Sequence, residues 1–436
     1  MNTTVLEQRR VFIHLVRSGK SIPEAAQAVG RGRAWGYKWA KRYFAEQDWE
    51  ALQDRSRRPH NQPNRLPASV YQAIRQTRSE LEAEAQNKDR LGYIGATAIR
   101  DRLAAKGVRP LPSVSSIERE LRRAGMTRPR QGATPVSIAY PHLRPTQAHQ
   151  LIQVDILPRY LAGGTAIACF NAIDVVSRYP SGCQFERRTA ANACEFLLSV
   201  WQEQGLPQYQ QLDNEDCFSG GHAHPNVLGK VVRLALYFGV QVVFSPFYHP
   251  QSNGTVERFH QDYARFVWQK ERLTDLAAVR QRSALFFSLY RNSRHHRQLQ
   301  GHSPAQLQQM PPPRCIPPDL RLPDKLPLTA GQVHFIRGVD RQHQVKVLNR
   351  LWTVPKAQPN QGVWVTLHLS PKGATLSVFD TAPDAPKRIC LAKFDFPLKE
   401  AVVPLNPVFR PESPQTRLSW LNWLFAPLRI RPSTMS

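Results

Sequence analysis

The chain has 436 residues, of which 41% are hydrophobic and 21% are charged, values typical of a folded globular protein of about three domains. Lysine and arginine exceed aspartate and glutamate by 26, which favours a polyanionic partner such as nucleic acid. No apolar run approaches the roughly 20 residues of a membrane span, so we expect no membrane partner. The six cysteines include no C-x-x-C pair and none precedes Cys169, which excludes a zinc finger from the first third.

The basic residues are concentrated at the two ends of the chain. Residues 1–150 carry a net charge of +14 and residues 311–436 carry +9, whereas residues 151–310 carry only +3. The second boundary coincides with seven prolines in residues 311–330. We therefore expect the flanks to bind a polyanion and the middle to hold an acidic site.

The first 60 residues predict a helix-turn-helix domain. Apolar residues recur at helical spacing over 7–18, Ser21 and Glu24 form a capping-box pattern for a second helix, and a third helix covers about 31–46. The third helix is basic, as expected of a helix that enters the major groove. Its candidate DNA-binding residues are Arg33, Lys38, Lys41 and Arg42.

A second helical domain, winged or helix-turn-helix-like, is predicted over 61–135, with helices near 70–85, 96–106 and 114–124. An extended, proline-punctuated linker joins the two domains, and its arginines fit a minor groove. Each domain alone is equally consistent with a three-helix bundle whose charges are solvated, but two in tandem favour DNA binding. The candidate contacts are Arg55, Arg57 and Arg58 in the linker and Arg119, Arg122 and Arg123 in the last helix.

Residues 145–310 predict a mixed α/β sheet with helices on its faces. Three β-rich segments are followed by a helix, a strand, a helix, a strand and a long helix that begins near Gly254. In this layout Asp155 lies inside an apolar strand, Asp213 ends the fourth strand, and Glu257 lies in the first turn of the long helix. Carboxylates in such positions are costly unless they are paired or bind a cation.

These acidic residues lie in segments of a distinctive kind, namely QVDILP, AIDVVSRYP, LDN and SPFYHPQSNGTVERFH, with LYRNSRHHRQLQGHSPAQL following. Over about 150–310 the segments resemble the catalytic core of the retroviral-integrase superfamily of Asp-Asp-Glu transposases, as found in bacterial insertion sequences. The segments WGYKWAKRYF and LQDRSRRPH resemble the N-terminal helix-turn-helix of such transposases, and VLNRLWTVP resembles their C-terminal module.

The resemblance implies a ribonuclease-H-like fold in which Asp155, Asp213 and Glu257 are the catalytic residues and the ligands of two Mg²⁺ ions, with Mn²⁺ as a substitute. Hard cations prefer oxygen ligands, and two ions about 4 Å apart stabilise the attacking and leaving oxygens of an in-line phosphoryl transfer. The implied partner is double-stranded DNA, as transposon ends and as target. The same resemblance implies a homo-oligomer assembled on DNA in the bacterial cytoplasm, in association with the nucleoid. The sequence does not indicate whether a helper protein is needed.

Other residues of this region receive secondary roles. Asp174 is expected to make a structural contact rather than to bind metal. Glu215 replaces a usual glycine and would alter the loop or add negative charge beside the metals. Ala264 lies where relatives often have a basic residue, so either Arg265 takes over that phosphate contact or the contact is missing. The residues expected to line or shape the DNA-facing edge are Asn214, His249, Gln251, Asn253 and Arg258.

Residues 331–402 predict a small β-barrel of about five short strands, in which Val363, Val365 and Leu367 alternate with polar residues or tryptophan. A proline-rich linker, 311–330, precedes the barrel, and a tail, 403–436, follows it. The basic charge of this part favours a contact with DNA or with another domain. A purely structural barrel is the alternative.

The leading interpretation of the sequence is a Mg²⁺-dependent DNA transposase, a polynucleotidyl transferase and nuclease that binds terminal repeats and integrates the element into target DNA. One alternative is a non-catalytic DNA-binding regulator or decayed transposase, which Glu215 and Ala264 support. Another is a ribonuclease-H-like nuclease without strand transfer, which would leave the DNA-binding units unexplained. The terminal-repeat sequence and the target preference are not encoded in any pattern that we recognise.

Overall fold

The computed structural model describes residues 4–55, 66–127, 138–220, 227–247, 249–293, 296–308 and 311–410. The chain divides into two compact units, Met1–Pro67 and Ala68–Ser436. The predicted DNA contacts Arg57 and Arg58, and most of the predicted tail, lie outside the described residues. Within those residues, no helix combines the length and the apolar character that crossing a bilayer requires.

The N-terminal unit contains the three predicted helices. They are α1 (Val5–Arg17), α2 (Ile22–Ala28) and α3 (Arg33–Glu46). Capping boxes at Thr4 and Ser21 satisfy free backbone N–H groups at the starts of α1 and α2. A Cβ on Gly36 would lie 3.0 Å from the Cβ of Ala26, so this glycine permits close packing of α3 on α2. The helices share a buried core that includes Phe12, Ile13, Ala25, Trp39 and Leu52.

The second predicted helical segment opens the larger unit. It consists of α4 (Ala68–Ala85), α5 (Ala96–Ala105) and α6 (Val114–Arg123), and residues 66–127 contain no strand, so no wing is present there. The connection between α4 and α5 docks on the rest of the unit. Arg282 donates to Asp89 at 2.7 Å, and the Lys270 ammonium donates to the Arg90 carbonyl at 2.6 Å. The helical segment is therefore packed on the following domain.

A mixed sheet forms the centre of the larger unit. Its first five strands are β1 (Leu151–Tyr160), β2 (Ala166–Asp174), β3 (Pro180–Phe185), β4 (Tyr209–Leu212) and β5 (Gln241–Phe244). The first three form an antiparallel meander, and β4 pairs in parallel with both β1 and β5. This arrangement confirms the predicted mixed α/β core.

Helices cover both faces of these strands. In chain order they are α7 (Ala190–Gln204), α8 (Asp216–Ser219), α9 (Lys230–Tyr237), α10 (Gly254–Tyr263), α11 (Leu276–Asn292) and α12 (Pro304–Leu307). On one face Val154 and Phe170 pack with α7 and α9, and on the other face Ile167 and Cys169 pack with α10 and α11. The long helix predicted from Gly254 is interrupted, because a π-helical turn over Ala264–Trp268 ends α10.

The predicted separate β-barrel over 331–402 is not confirmed. The C-terminal strands are β6 (Gly331–Gly338), β7 (Gln344–Val347), β8 (Arg350–Thr353), β9 (Gly362–Ser370), β10 (Gly373–Phe379) and β11 (Cys390–Phe396). β6 pairs in parallel with β5, which gives a nine-stranded sheet in the order β11-β10-β9-β6-β5-β4-β1-β2-β3, while β7 and β8 form a hairpin. The physical reason is that β5 would otherwise leave an edge of unpaired backbone groups.

The junction between β5 and β6 should contribute strongly to stability. Phe335 is buried and stacks on Phe244 with ring centroids 5.3 Å apart, so Phe335→Ala is expected to lower the free energy of unfolding by about 3–5 kcal/mol. Chemical denaturation followed by tryptophan fluorescence measures this. Tyr160→Ala, at a residue that is 70% exposed, is the control and should cost less than about 1 kcal/mol. Equal losses for the two variants would contradict a core that continues across this junction.

Candidate active site

The three carboxylates predicted to be catalytic lie on elements that the sheet brings together. β1 and β4 are neighbouring parallel strands in which Gln153 lies opposite Gln211. Asp155 and Asp213 each follow one of these glutamines by two residues, so both carboxylates lie at the same end of the strand pair. Glu257 lies in the first turn of α10, which packs against β1.

The carboxyl groups at this end of the sheet have raised pKa values. Burial and the negative charge of Asp213 raise the pKa of Asp155 to about 7, with smaller contributions from Glu215 and Glu257. Burial also raises the pKa of Asp213 to about 6, and it raises the pKa of Glu257. Near neutral pH the carboxylates therefore repel one another, and Asp155 holds a proton for part of the time.

Glu215 is a fourth carboxylate at the site. Its backbone N–H donates to Asp213 Oδ1 at 3.1 Å, and its side chain pairs with Arg188 at 3.0 Å. Its negative charge helps to raise the pKa of both Asp155 and Asp213. The expectation that Glu215 adds negative charge here is confirmed, and Arg188, which the sequence analysis did not single out, offsets part of it.

His260 is a second neighbour of Asp155 that the sequence analysis missed. It lies one turn after Glu257 on α10, and its Nδ1 is 3.5 Å from Asp155 Oδ2. Burial lowers the pKa of His260 to about 4, so the ring is neutral at neutral pH. The contact is therefore one between a neutral imidazole and a carboxyl group, and it restricts the orientation of Asp155 without neutralising its charge.

The donor set of the site fits a hard divalent cation. Carboxylate oxygens are the ligands that Mg²⁺ prefers, and a cation would offset the repulsion that raises the pKa of Asp155. The described residues contain no group of three or more histidine, cysteine, aspartate or glutamate side chains already placed to hold a metal ion. Binding would therefore have to draw the carboxylates closer together.

A buried network of amides and one hydroxyl links the elements that carry the carboxylates. Gln211 Nε2 lies 3.0 Å from Ser245 Oγ and 2.7 Å from Asn253 Oδ1. Gln153 Nε2 donates to Gln211 Oε1 at 3.3 Å, and the Val256 N–H donates to Gln153 Oε1 at 3.3 Å. These bonds join β1, β4, the end of β5 and the start of α10. They fix the spacing of the elements from which the three carboxylates project.

Two family models match the chain. Residues 238–304, which include Glu257, match the integrase core domain, and residues 3–47 match the homeodomain-like domain. This stretch of the chain is therefore similar to part of an integrase core domain. The match over residues 238–304 confirms the predicted relationship to the integrase superfamily, and its combination with a homeodomain-like match fits an Asp-Asp-Glu transposase.

Solved retroviral integrases are similar to parts of the chain. The HTLV-2 integrase catalytic core domain in complex with magnesium is 13% identical with a TM-score of 0.31, over 38% of this chain and 100% of that chain. A chain of the simian T-cell lymphotropic virus intasome in complex with PP2A regulatory subunit B56 gamma is 14% identical with a TM-score of 0.33, over 74% of this chain and 100% of that chain. The catalytic core domain of BIV integrase is 24% identical with a TM-score of 0.28, over 37% of this chain and 93% of that chain.

Two residues expected to line or shape the DNA-facing edge of the integrase core are engaged inside it. Asn253 is buried and accepts the hydrogen bonds of the network described above. Asn214 donates to the Ser245 carbonyl at 2.7 Å and accepts from Arg337 at 2.8 Å. The amide of Asn253 therefore satisfies buried polar groups, and a DNA contact by this residue stays a prediction. The side chain of Gln251 lies outside the described set.

Arg258, in the middle of α10, and Arg265, in the π-helical turn that follows it, differ in their surroundings. Arg258 is 62% exposed and 3.4 Å from Asp262, so its guanidinium remains accessible beside Glu257. Arg265 binds Asp262 at 3.1 Å and lies over the ring of Tyr93, which belongs to the helical segment. Arg265 therefore helps to dock that segment. Ala264, at the position where a basic residue is common in relatives, is buried and carries no charge.

Asp174 has the structural role that the sequence predicted. It is fully buried and accepts hydrogen bonds from the backbone N–H groups of His149 at 2.7 Å and of Val176 and Ser177 at 2.8 Å. The bonds from Val176 and Ser177 close the turn between β2 and β3, and the bond from His149 ties that turn to the segment before β1. Its carboxylate is therefore occupied by the turn.

The predicted DNA-binding residues outside the integrase core fall into two groups. The first group is exposed and consists of Arg33, Lys38, Lys41, Arg119 and Arg122, although Lys38 Nζ also lies 5.3 Å from the Trp39 ring. The second group contacts neighbouring side chains: the guanidinium of Arg42 lies 5.1 Å from the Trp39 ring, and the exposed Arg55 and Arg123 pair with Glu46 and Glu120. The charges of the first group remain accessible to a ligand.

Neutralising Asp155 should stabilise the metal-free protein at alkaline pH. Because its pKa is raised in the folded state, the protonated carboxyl contributes stability below about pH 4 that is lost as pH rises through about 7. The side chain of Asp155→Asn stays neutral at every pH. At pH 8 in EDTA the free energy of unfolding of this variant should therefore exceed that of the wild type by roughly 1–4 kcal/mol. This gain should shrink toward pH 4.

Chemical denaturation at several pH values measures the effect. Asp319→Asn, at an exposed aspartate far along the chain from the site, is the matched control and should give no gain. A wild-type protein as stable as Asp155→Asn at pH 8 would show that the carboxylate carries no such penalty.

Proposed function

We propose that the protein is a DNA transposase that binds the terminal repeats of its element and catalyses two-metal DNA cleavage and strand transfer. The observation that carries the proposal is that β1, β4 and α10 bring Asp155, Asp213 and Glu257 to one end of the sheet. Glu257 also lies in the stretch that matches the integrase core domain. The homeodomain-like domain and the exposed basic residues of α3 support DNA binding. A nuclease without strand transfer gives no reason for these DNA-binding units.

The carboxylates would act as metal ligands. Asp155, Asp213 and Glu257 would hold two Mg²⁺ ions, or Mn²⁺ in their place, which stabilise the attacking and leaving oxygens of the phosphoryl transfer. Because Asp155 and Asp213 have raised pKa values, they must release protons to bind a cation at neutral pH. His260 restricts Asp155, and Arg188 keeps Glu215 paired to one side.

The same site would serve two successive reactions. Water first attacks at the transposon end and releases a 3′-hydroxyl, and that hydroxyl then attacks the target strand. Both steps are in-line displacements at phosphorus, so one set of carboxylates suffices for both. Double-stranded DNA is the partner throughout, and we propose that the chain assembles as a homo-oligomer on it, because two ends must meet one target.

A decayed transposase that retains only DNA binding is the second candidate. Ala264 and the engaged guanidinium of Arg265 favour it, because relatives often place a free basic residue on this helix. The accessible Arg258 beside Glu257 and the complete set of three carboxylates favour an active enzyme.

Removal of any one of the three carboxylates should abolish catalysis. Asp155→Asn, Asp213→Asn and Glu257→Gln are each expected to reduce strand transfer on the order of 10³-fold, because each removes one charged ligand of the metal pair. The assay joins labelled DNA from the borders of the element to a target plasmid in Mg²⁺ or Mn²⁺. Glu195→Gln, at an exposed carboxylate on α7, is the control and should retain activity.

The outcomes of this assay separate the candidates. Wild-type activity in Asp155→Asn would contradict the metal assignment. Nicking without joined product by the wild type would identify a nuclease. DNA binding with neither product would identify the decayed form.

The exposed basic residues of α3 should account for binding to the element's ends. The triple variant Arg33→Gln, Lys38→Gln and Lys41→Gln is expected to weaken binding and to reduce the slope of log affinity against log salt by about 3. Fluorescence anisotropy over a salt series measures both. A control triple variant removes equally exposed charges elsewhere in the domain, at Arg10, Arg17 and Lys20. Equal effects of the two triples would mean that α3 is not the recognition helix.

A further inference from the structure

We infer that Arg337, on strand β6, is a positioning residue for the active site, because its guanidinium fixes the loop that carries Asp213. The inference rests on the proposed function and deepens it, since it makes the C-terminal strands part of the catalytic unit. The residue that Arg337 binds is Asn214, which directly follows Asp213.

The guanidinium of Arg337 is buried, and each of its three nitrogens donates at least one hydrogen bond. Nη2 donates to Asn214 Oδ1 at 2.8 Å, and Nη1 donates to the carbonyl of Ser245 at 3.0 Å. Nη1 also donates to its neighbour Ile336 at 2.8 Å, and Nε donates to the carbonyl of Lys346 at 3.1 Å. One side chain therefore joins the loop after β4, the end of β5 and the hairpin strand β7.

The loop that follows β4 is held on both sides of Asp213. Asn214 Nδ2 donates to the Ser245 carbonyl at 2.7 Å, so Asn214 and Arg337 share one acceptor. The Ser245 N–H in turn donates to the carbonyl of Leu212 at 2.9 Å. Asp213 lies between Leu212 and Asn214, and both neighbours are therefore tied to the same serine. Loss of Arg337 would remove the hydrogen bond to Asn214 Oδ1, which holds the Asn214 amide in the orientation that reaches Ser245.

The position of Arg337 is a costly one for a charge. Burial lowers its pKa to about 9, which leaves the guanidinium charged at neutral pH. In the described part of the chain no carboxylate lies within ion-pair distance of it, and the ring of Phe247 covers it at 4.4 Å. Because an apolar side chain would avoid this desolvation penalty, the contribution of Arg337 lies in the hydrogen bonds that it makes.

Arg314 is a matched control from the segment that precedes β6. It also donates to backbone carbonyls, and they belong to Pro207, Phe238, Gly239 and Phe409. None of these acceptors adjoins a catalytic carboxylate. Removal of either guanidinium should lower stability, but only removal of Arg337 should alter metal binding.

The test measures metal binding separately from catalysis. In the full-length chain, Arg337→Met is expected to weaken Mn²⁺ binding, followed by electron paramagnetic resonance, by about 10-fold or more, because groups that orient metal ligands typically contribute 10–100-fold. The Mg²⁺ concentration for half-maximal strand transfer should rise by a similar factor. Arg337→Lys keeps a charged donor and should recover part of the loss. Arg314→Met should lower the denaturation midpoint and leave Mn²⁺ affinity unchanged.

Unchanged Mn²⁺ affinity in Arg337→Met, or an equal loss in Arg314→Met, would overturn the positioning role. If Arg337→Met does not fold, Asn214→Ala removes the same hydrogen bond from the loop together with the bond to Ser245, and it should weaken Mn²⁺ binding at least as much. Unchanged affinity in that variant would also overturn the role. If Arg337→Met binds Mn²⁺ more weakly than the wild type does, but the wild type shows no strand transfer, the proposed function alone is refuted. A wild type that binds no Mn²⁺ would refute both.

Discussion

The side-chain amide of Gln211 is the point at which the elements carrying the three carboxylates meet. It contacts Gln153 on the neighbouring strand, Ser245 after β5 and Asn253 before α10. A buried amide left without partners costs about 1–3 kcal/mol, so each of these bonds favours one arrangement of the elements over others. The network therefore sets where the carboxylates are before any cation or DNA is bound.

Such a scaffold is needed because the carboxylates oppose their own arrangement. Asp155 and Asp213 both have pKa values raised by burial, and each is raised further by a neighbouring negative charge. Arg188 offsets part of the charge of Glu215, while His260 is neutral at neutral pH and offsets none. The free energy spent in holding these groups together is recovered when a cation binds, which links the stability of the site to its occupancy.

The continuous sheet gives the C-terminal strands a part in this arrangement. Because β6 extends the sheet from β5, Arg337 reaches Asn214 across 123 residues of sequence. The stack of Phe335 on Phe244 makes the same junction part of the hydrophobic core. Packing and hydrogen bonding at this junction therefore act on the loop of Asp213 together, and the catalytic core and the C-terminal strands form one body.

The sequence by itself determined what depends on near neighbours along the chain. Helical periodicity and capping residues located α1 to α6 within a few residues, and the local contexts of Asp155, Asp213 and Glu257 identified the acidic site. The two glutamines of the network carry a signal that we did not use, since each lies two residues before an aspartate, in QVD and QLD. Whether these two glutamines meet depends on how β1 and β4 pair, and no local sequence pattern specifies that register.

Only the tertiary structure decided which strands pair and which polar groups are buried together. The alternation of Val363, Val365 and Leu367 predicts a strand equally well in a separate barrel and in an extended central sheet. The pairing of β5 with β6 joins segments far apart in sequence, and its free energy comes from contacts made only in the folded chain. For the same reason the contacts of Asn253 and Arg337 are evident only in the fold, whereas Asp155, Asp213 and Glu257 are already singled out by their local sequence.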